Sequence, residues 1–378
     1  MDKRSSAFDV AVVGAGVIGL AISWRAAQRG LRVVVLERDE PGAGASHVAA
    51  GMLAPVTEAT VVERHVLPLA LASAEAYPGF VAELERLSGV GVGYLPWSML
   101  MVARDRDEAE ALERELEVRR ELGLSVQRLR PSQARALEPA LAPALRLALE
   151  VAGDHAVDPR KLTAALLRAA RSAGVELRSG TTVVGLEHGV ALASGERLQA
   201  DQVVIAAGAW SDAIEGIPDD ARIPIHPVKG QIMRLHDPAG PGLLSRVVRM
   251  SSSYLVPRGD GRYVLGATME ERGFDTTVSA GAMFELLRDA AELVPGSAEF
   301  VVDEINAGLR PATSDNMPAI GPAVVPGLHW AVGHYRQGVL LTPITAEIVV
   351  AGLTGERPPE SAAAFSPSRF APAAVEAG

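Results

Sequence analysis

Apolar and polar positions along the chain fall into two textures. In the first, Val10 to Val13 form an unbroken apolar run, residues 17–29 repeat apolar positions at helical spacing, and 32–37 return to a continuous apolar run. A run without alternation suits a strand buried on both faces of a parallel sheet. The pattern therefore predicts strand 8–13, helix 17–29 stopped by Gly30, and strand 32–37. The same texture predicts a capped helix over 162–173, opened by Asp158-Pro159 and ended by Gly174, then a strand from Val175 to Leu177. Crossover strands 181–187 and 190–193, the apolar run 202–208, strand 328–332 and a helix over 339–352 complete it. Helices are also predicted over 63–88 and 105–122. The second of these carries Glu110–Arg114 and Glu115–Arg119 at i, i+4 spacing, the mark of a solvated face.

From about 221 to 304 the texture changes to short alternating strands, 228–235, 246–250, 254–257 and 262–268, with Pro257 to Gly261 as a hairpin turn. This predicts an antiparallel sheet inserted into an α/β frame. The segment beyond Gly355 is rich in proline, alanine and serine and predicts no regular structure.

Gly14-x-Gly16-x-x-Gly19 lies at the first strand-to-helix junction, and Glu37 closes the next strand 18 residues beyond Gly19. The first glycine allows a tight turn, the second lets the backbone approach a pyrophosphate, and the third lets the helix pack on the strand. The phosphates then meet a helix N-terminus, and the acid accepts from a ribose hydroxyl. After Glu37 comes a run of small residues, Gly42 to Ser46 and Ala49 to Gly51, suited to backbone lying against a flat or charged ligand. These features predict dinucleotide binding and leave NAD and FAD equally open.

Composition narrows the partners. The 378 residues carry a net charge of −10 with scattered basic groups, so neither a nucleic-acid footprint nor a polybasic membrane patch is visible. No run is long and apolar enough to predict a spanning helix. Lys3 and Arg4 before an apolar stretch imitate a secretory signal, but the glycine spacing argues for a nucleotide turn instead. Cysteine is absent, which excludes disulfides, thiolate metal sites and a flavin tethered through cysteinyl sulfur. The eight histidines form no cluster of metal spacing, so no metal is expected. A cytoplasmic homo-oligomer is the expectation.

The residues resemble the D-amino-acid oxidase superfamily of FAD enzymes, most closely its glycine oxidases of thiamine biosynthesis. The resemblance is carried by Phe8 to Gly19 with Glu37, Ala49 to Leu53, Val203 to Ser211, Pro227 to Gly230 and Tyr254 to Pro257. Gly266 to Met269, Gly308 to Pro311 and Gly333 to Gly338 complete it. It implies a discontinuous Rossmann-type FAD-binding domain (1–90, 150–222 and 305–365) and a second α+β substrate domain with a mostly antiparallel sheet (91–149 and 223–304), followed by a tail (366–378). It also implies non-covalent FAD. Its nucleotide half would lie on Gly14, Gly16, Val17, Ile18, Gly19, Glu37 and Arg38, with Val183, Ala207, Gly208 and Trp210. The flavin would meet Ser46, Ala49, Ala50, Gly51 and Met52, and the loop Gly333, His334, Tyr335, Arg336, Gln337, Gly338, Val339 and Leu340. A helix starting near Gly338 would aim its positive end at the flavin edge where charge appears on reduction.

The resemblance further implies oxidative deamination of a small amino acid by FAD and O₂, with the α C–H facing flavin N5 and no obligatory protein base. Read alone, an arginine before proline is an ion-pair or surface residue and a lone tyrosine is core. The family makes Arg310 the carboxylate clamp, for which planar guanidinium is suited, and Tyr254 the hydroxyl that shares it. Arg336 has three open roles: substrate contact, shaping the potential, or pairing with Glu347 or Asp315. Met52 and Met269 are expected as apolar walls and His334 as structural. Lys229 lies in a motif different from that of the oxygen-assisting lysine of sarcosine oxidases, and Ser252 stands where glycine oxidases can carry histidine. A quinone-linked D-amino-acid dehydrogenase, a sarcosine-oxidase-like enzyme and an NAD-sensing regulator remain the alternatives.

Overall fold

The computed structural model describes residues 7–60 and 62–371, so Lys3, Arg4 and the end of the expected tail lie outside the described residues. Its first sheet has six strands in the order Ala319–Pro322, Leu328–Val332, Ala200–Ile205, Phe8–Val13, Val33–Leu36 and Glu176–Arg178. All neighbours run parallel except the first pair. The unbroken apolar runs have a direct cause. Val10 and Val12 face a layer built from helices Val17–Gln28, Leu67–Ser88, Pro159–Ser172 and Thr342–Thr354. Ala11, between them, faces the small sheet of Val183–Gly185, Val190–Leu192 and Arg197–Leu198 on the other side. Both faces are buried, so alternation has no work to do.

The second sheet has eight strands. Their order is Val301–Ala312, His226–His236, Arg262–Gly266, Tyr254–Pro257, Val248–Arg249, Met99–Ala103, Leu147–Val151 and Gln127–Leu129. It is antiparallel except where Val248–Arg249 meets Met99–Ala103. Helix Ala280–Leu293, capped by the Ser279 hydroxyl, covers one face by placing Met283, Leu286, Ala290 and Leu293 on Met233, Leu235, Leu255 and Tyr263.

Several expectations shift. The strand Val301–Ala312 and the helix Ala280–Leu293 are absent from the sequence pattern as read. The strand has exposed edge positions, and Gly308 and Pro311 break its alternation. The expected domain boundary at 305 falls inside this strand. Helix 63–88 begins only at Leu67, with Pro68 in its first turn, which leaves Glu63 in the preceding turn. The final helix starts at Thr342 rather than near 339, with Pro343 in its first turn. Among the described residues beyond Gly355 regular structure does occur: Glu360–Phe365 and Pro367–Phe370 are short 3₁₀ helices, and Phe365 is buried against the helical layer.

Candidate active site

The glycine turn brings the end of the first strand over its neighbour. Gly14 has φ +105°, and a Cβ there would lie 2.5 Å from the Ala206 carbonyl oxygen, so any side chain is excluded by conformation and by space. Glu37 is anchored to this turn: its Oε2 accepts from the Ala15 N–H at 2.7 Å and its Oε1 from the Asp39 N–H at 2.9 Å. The Val17 N–H, in the first turn of the helix, donates to Ser46 Oγ at 3.1 Å. That bond ties the glycine turn to the small-residue segment after Glu37.

A continuous cavity of about 1230 Å³ starts at this turn. Gly14, Gly16, Val17, Ile18, Glu37 and Arg38 line one end with Val183, Ala207, Gly208 and Trp210. Ser46, Ala49, Ala50, Gly51 and Met52 line the middle. His334 to Leu340 close one wall, and Tyr254, Met269 and Arg310 line the far end. Two of the expected residues are not on the cavity. The missing side chain of Gly19 faces the Gly14 carbonyl, and that of Gly333 faces Thr313, so both glycines serve the packing of turns.

Arg310 reaches the far end from the long edge strand. It pairs in register with Val228, and Gly308 pairs with Gly230. A Cβ on Gly230 would lie 2.5 Å from Arg310 Nη1, so this glycine opens the space for the guanidinium. Arg310 donates to the carbonyls of Thr268 and Lys229, each at 3.2 Å, and has no carboxylate partner among the described residues. Gly266 does for Tyr254 what Gly230 does for Arg310, since a Cβ there would meet the phenol oxygen at 2.8 Å. Burial raises the Tyr254 hydroxyl above its ordinary value although the Arg310 charge opposes it, so the phenol stays neutral and can donate.

Arg336 is an ion-pair residue, but not with Glu347 or Asp315. Its Nη1 lies 2.8 Å from Glu58 Oε2, and its Nη2 bonds Glu63. Asp315 is taken by Arg369 at 2.9 Å, and Glu347 is exposed. The other Glu58 oxygen meets Arg249 at 2.6 Å. Burial would raise the Glu58 carboxyl, but the guanidinium groups of Arg249, Arg336, Arg310 and Arg119 outweigh it and hold it below its ordinary value. Tyr335, at φ +49°, turns the loop so that Arg336 follows in this direction, and its hydroxyl meets Met269 sulfur at 2.8 Å. Glu58, Glu63 and Arg249 carry no motif, and sequence reading missed them.

The remaining residues fall into place around this end. Met52 lines the cavity half-buried, whereas Met269 is 64% exposed and stands at the mouth. Segment 267–279, which carries Met269, is tethered by buried Lys229, whose Nζ lies 2.7 Å from Asp275 Oδ2. It also places Phe274 6.0 Å from Trp210, which in turn stacks under Arg38 at 4.5 Å. Ser252 donates to Asp289 at 2.6 Å. His334 is buried, shares a hydrogen bond with Thr345 at 3.0 Å, and is pushed down to about 3 by burial. Among the described residues no helix is long and apolar enough to cross a membrane, and no group of three histidine or acidic residues is placed to hold a metal ion.

The site fits FAD. An acid at a glycine turn stands at one end of the cavity and a cation with a neutral phenol at the other. Between them, the side-chain oxygen of Gln337 is buried on the wall without a partner. The family described as FAD dependent oxidoreductase matches residues 9–351. A glycine oxidase of Geobacillus kaustophilus is 37% identical over 350 residues, 90% of this chain and 92% of that one. A crystal structure of glycine oxidase from the same organism superposes with a TM-score of 0.88 at 36% identity, covering 95% and 98% of the two chains. The bifunctional protein ThiO/ThiG of Synechocystis sp. is 36% identical over 96% of this chain, which spans 54% of that protein's length. The hydrogen cyanide synthase subunit HcnC of Pseudomonas aeruginosa is 31% identical over 97% of both. The glycine turn, the two sheets and the match over most of the chain place this protein in the FAD dependent oxidoreductase family, as an FAD-dependent amino-acid oxidase.

Proposed function

We propose that this chain oxidises glycine, and with it sarcosine and small D-amino acids, using O₂ as acceptor. The amine and O₂ give an imine and H₂O₂, and water converts the imine to the oxo acid with release of ammonia, or of methylamine from sarcosine. The observation that carries this reading is Arg310, a cation on the cavity whose only protein acceptors among the described residues are the Thr268 and Lys229 carbonyls. Such a group calls for an anionic ligand, and a planar guanidinium grips a carboxylate with paired hydrogen bonds.

Bound FAD supplies the two-electron acceptor for the substrate's α-carbon and passes those electrons to O₂. The chain's own residues bind and orient. Arg310 holds the substrate carboxylate, Tyr254 donates its phenol proton to the same group, and Met52 and Met269 limit the room left for a side chain. Arg336 is already paired with Glu58 and Glu63, so it adds shape rather than a free charge. The cavity's net demand is for one carboxylate, which suits small amino acids. In this reading residues 1–90, 150–222 and 305–365 hold FAD, while 91–149 and 223–304 enclose the substrate together with Arg310 from the long edge strand. The glycine turn with Glu37, the segment Ser46–Met52 and the loop His334–Leu340 form the FAD contacts. The likeness to ThiO/ThiG supports a place for the imine in forming the thiazole of thiamine.

A substrate panel on the FAD-loaded protein tests this. Glycine, sarcosine and D-alanine are expected to consume O₂ and yield equal amounts of H₂O₂ and oxo acid. Turnover that requires a quinone and yields no peroxide would overturn the choice of acceptor. Failure of all three to bleach the flavin anaerobically would overturn the substrate class.

A further inference from the structure

The turn that delivers Glu58 to the substrate end of the cavity is held by charges outside the cavity. Asp154, fully buried in the turn after strand Leu147–Val151, accepts from the Val56 N–H at 3.1 Å and the Thr57 N–H at 2.6 Å, one on each carboxylate oxygen. On the other side of these peptides Arg119, 2% exposed on helix Arg106–Glu121, donates to the Val56 carbonyl at 3.0 Å and to the Thr57 carbonyl at 2.7 Å. Arg249 adds a third donor to Thr57 at 2.9 Å. Carboxylate and guanidinium are thus bridged by the Val56–Thr57 peptide group, whose N–H faces Asp154 and whose C=O faces Arg119. Two buried charges are costly, and a turn needing only shape could be capped by neutral groups. What the charges do is fix the next residue, Glu58, between Arg249 and Arg336.

We propose that Asp154, in its ionised form, is a positioning residue of the substrate pocket: through the Val56–Thr57 turn it sets Glu58 and thereby the Arg249–Arg336 pair beside Arg310. This rests on reading that end of the cavity as the substrate site. A carboxylate accepts both N–H groups with full negative charge, whereas a protonated carboxyl turns one oxygen into a donor and weakens its hold on the N–H that faces it. The groups facing Asp154 set where that happens. Burial pushes its carboxyl up to about 6, against the hydrogen bonds from Thr57 and Val56, and the Glu58 charge adds to the rise. Arg119, with Glu115 3.2 Å from it, and Arg249 face the same turn from the opposite side. Substrate affinity therefore falls as pH falls through about 6, while the rate at saturation changes less.

The test uses full-length, FAD-loaded protein with glycine between pH 5 and 8. Asp154→Asn is expected to raise KM about tenfold at pH 8 with kcat within about threefold. The ratio of wild-type to variant kcat/KM, in which the ionisation of glycine itself cancels, is expected to fall as pH drops through about 6. Glu58→Gln is expected to raise KM similarly, and the double variant to be no worse than the poorer single one. A ratio flat in pH overturns the proposal, because a merely structural carboxylate would lower stability without moving that profile. A raised KM in Glu58→Gln with none in Asp154→Asn overturns it and leaves the substrate site standing. Unchanged KM in both overturns the proposal and the site reading together. Arg119→Lys loosens the same turn from its carbonyl side and is expected to raise KM while keeping the break near pH 6; unchanged KM there also overturns the proposal, even if Asp154→Asn fails to fold.

Discussion

Arg336 and Glu58 face each other at 2.8 Å although they come from a loop after the parallel sheet and a turn near the start of the chain. Arg336→Leu keeps volume but leaves Glu58 with Arg249 as its nearest direct partner and takes the cation from Glu63, and removing one member of a buried pair costs about 3 kcal/mol. The Tm is expected to drop, and Glu58→Gln added to the same variant is expected to recover part of it. The sign with pH follows from Glu58. Its folded carboxyl lies below the ordinary 4.5, so the stabilisation is present above that value and is lost as pH falls through the folded one. Denaturant titrations at pH 7 and pH 4 are expected to show a smaller gap between wild type and Arg336→Leu at the lower pH.

Arg310→Lys keeps the charge and loses the planar fork. The kcat/KM for glycine is expected to fall on the order of 100-fold with the flavin still bound. Steady-state kinetics on protein of matched flavin content checks this, and unchanged kinetics would remove the clamp.

Two glycines separate conformation from close approach. Gly30 has φ +83° and open space around it, so Gly30→Ala is expected to cost about 1 kcal/mol and keep FAD. Gly14→Ala has the same difficulty plus the Ala206 carbonyl at 2.5 Å, which forces the turn off its neighbouring strand. It is expected to purify without visible flavin absorbance.

His334 is held neutral by burial, at about 3 against an ordinary 6.5. As pH falls below 6.5 the unfolded chain takes up a proton that the folded one refuses, so stability is lost between that pH and about 3. Between pH 8 and pH 5 this loss amounts to about 2 kcal/mol. His334→Gln is expected to remove that share, which urea unfolding at the two pH values measures.

The glycine-turn end of the cavity was legible in the chain because its parts are local. Gly14, Gly16 and Gly19 belong to one turn, and Glu37 ends the adjacent strand, so spacing alone brings the acid to the Ala15 N–H. Arg310 and Tyr254 were legible only through family resemblance, since nothing near either in sequence announces a ligand. Glu58, Arg249 and Asp154 were not legible. Each is a lone charged residue, and the contact that gives Asp154 its role spans 98 residues of chain. The helix Ala280–Leu293 was missed for another reason: it lies within a stretch read as strands and turns, where a short amphipathic pattern did not stand out.

By itself the sequence determined the parallel sheet, the glycine turn and the acid at its rim, because hydrophobic period and backbone permissiveness act over a few residues. The tertiary structure decided which arginine remains free for a ligand. Of the cations lining the far end of the cavity, Arg249 and Arg336 are neutralised by Glu58 and Glu63, and Arg310 is left facing carbonyls. Charge pairing depends on distance in space and on burial, and a linear pattern of residue types contains neither.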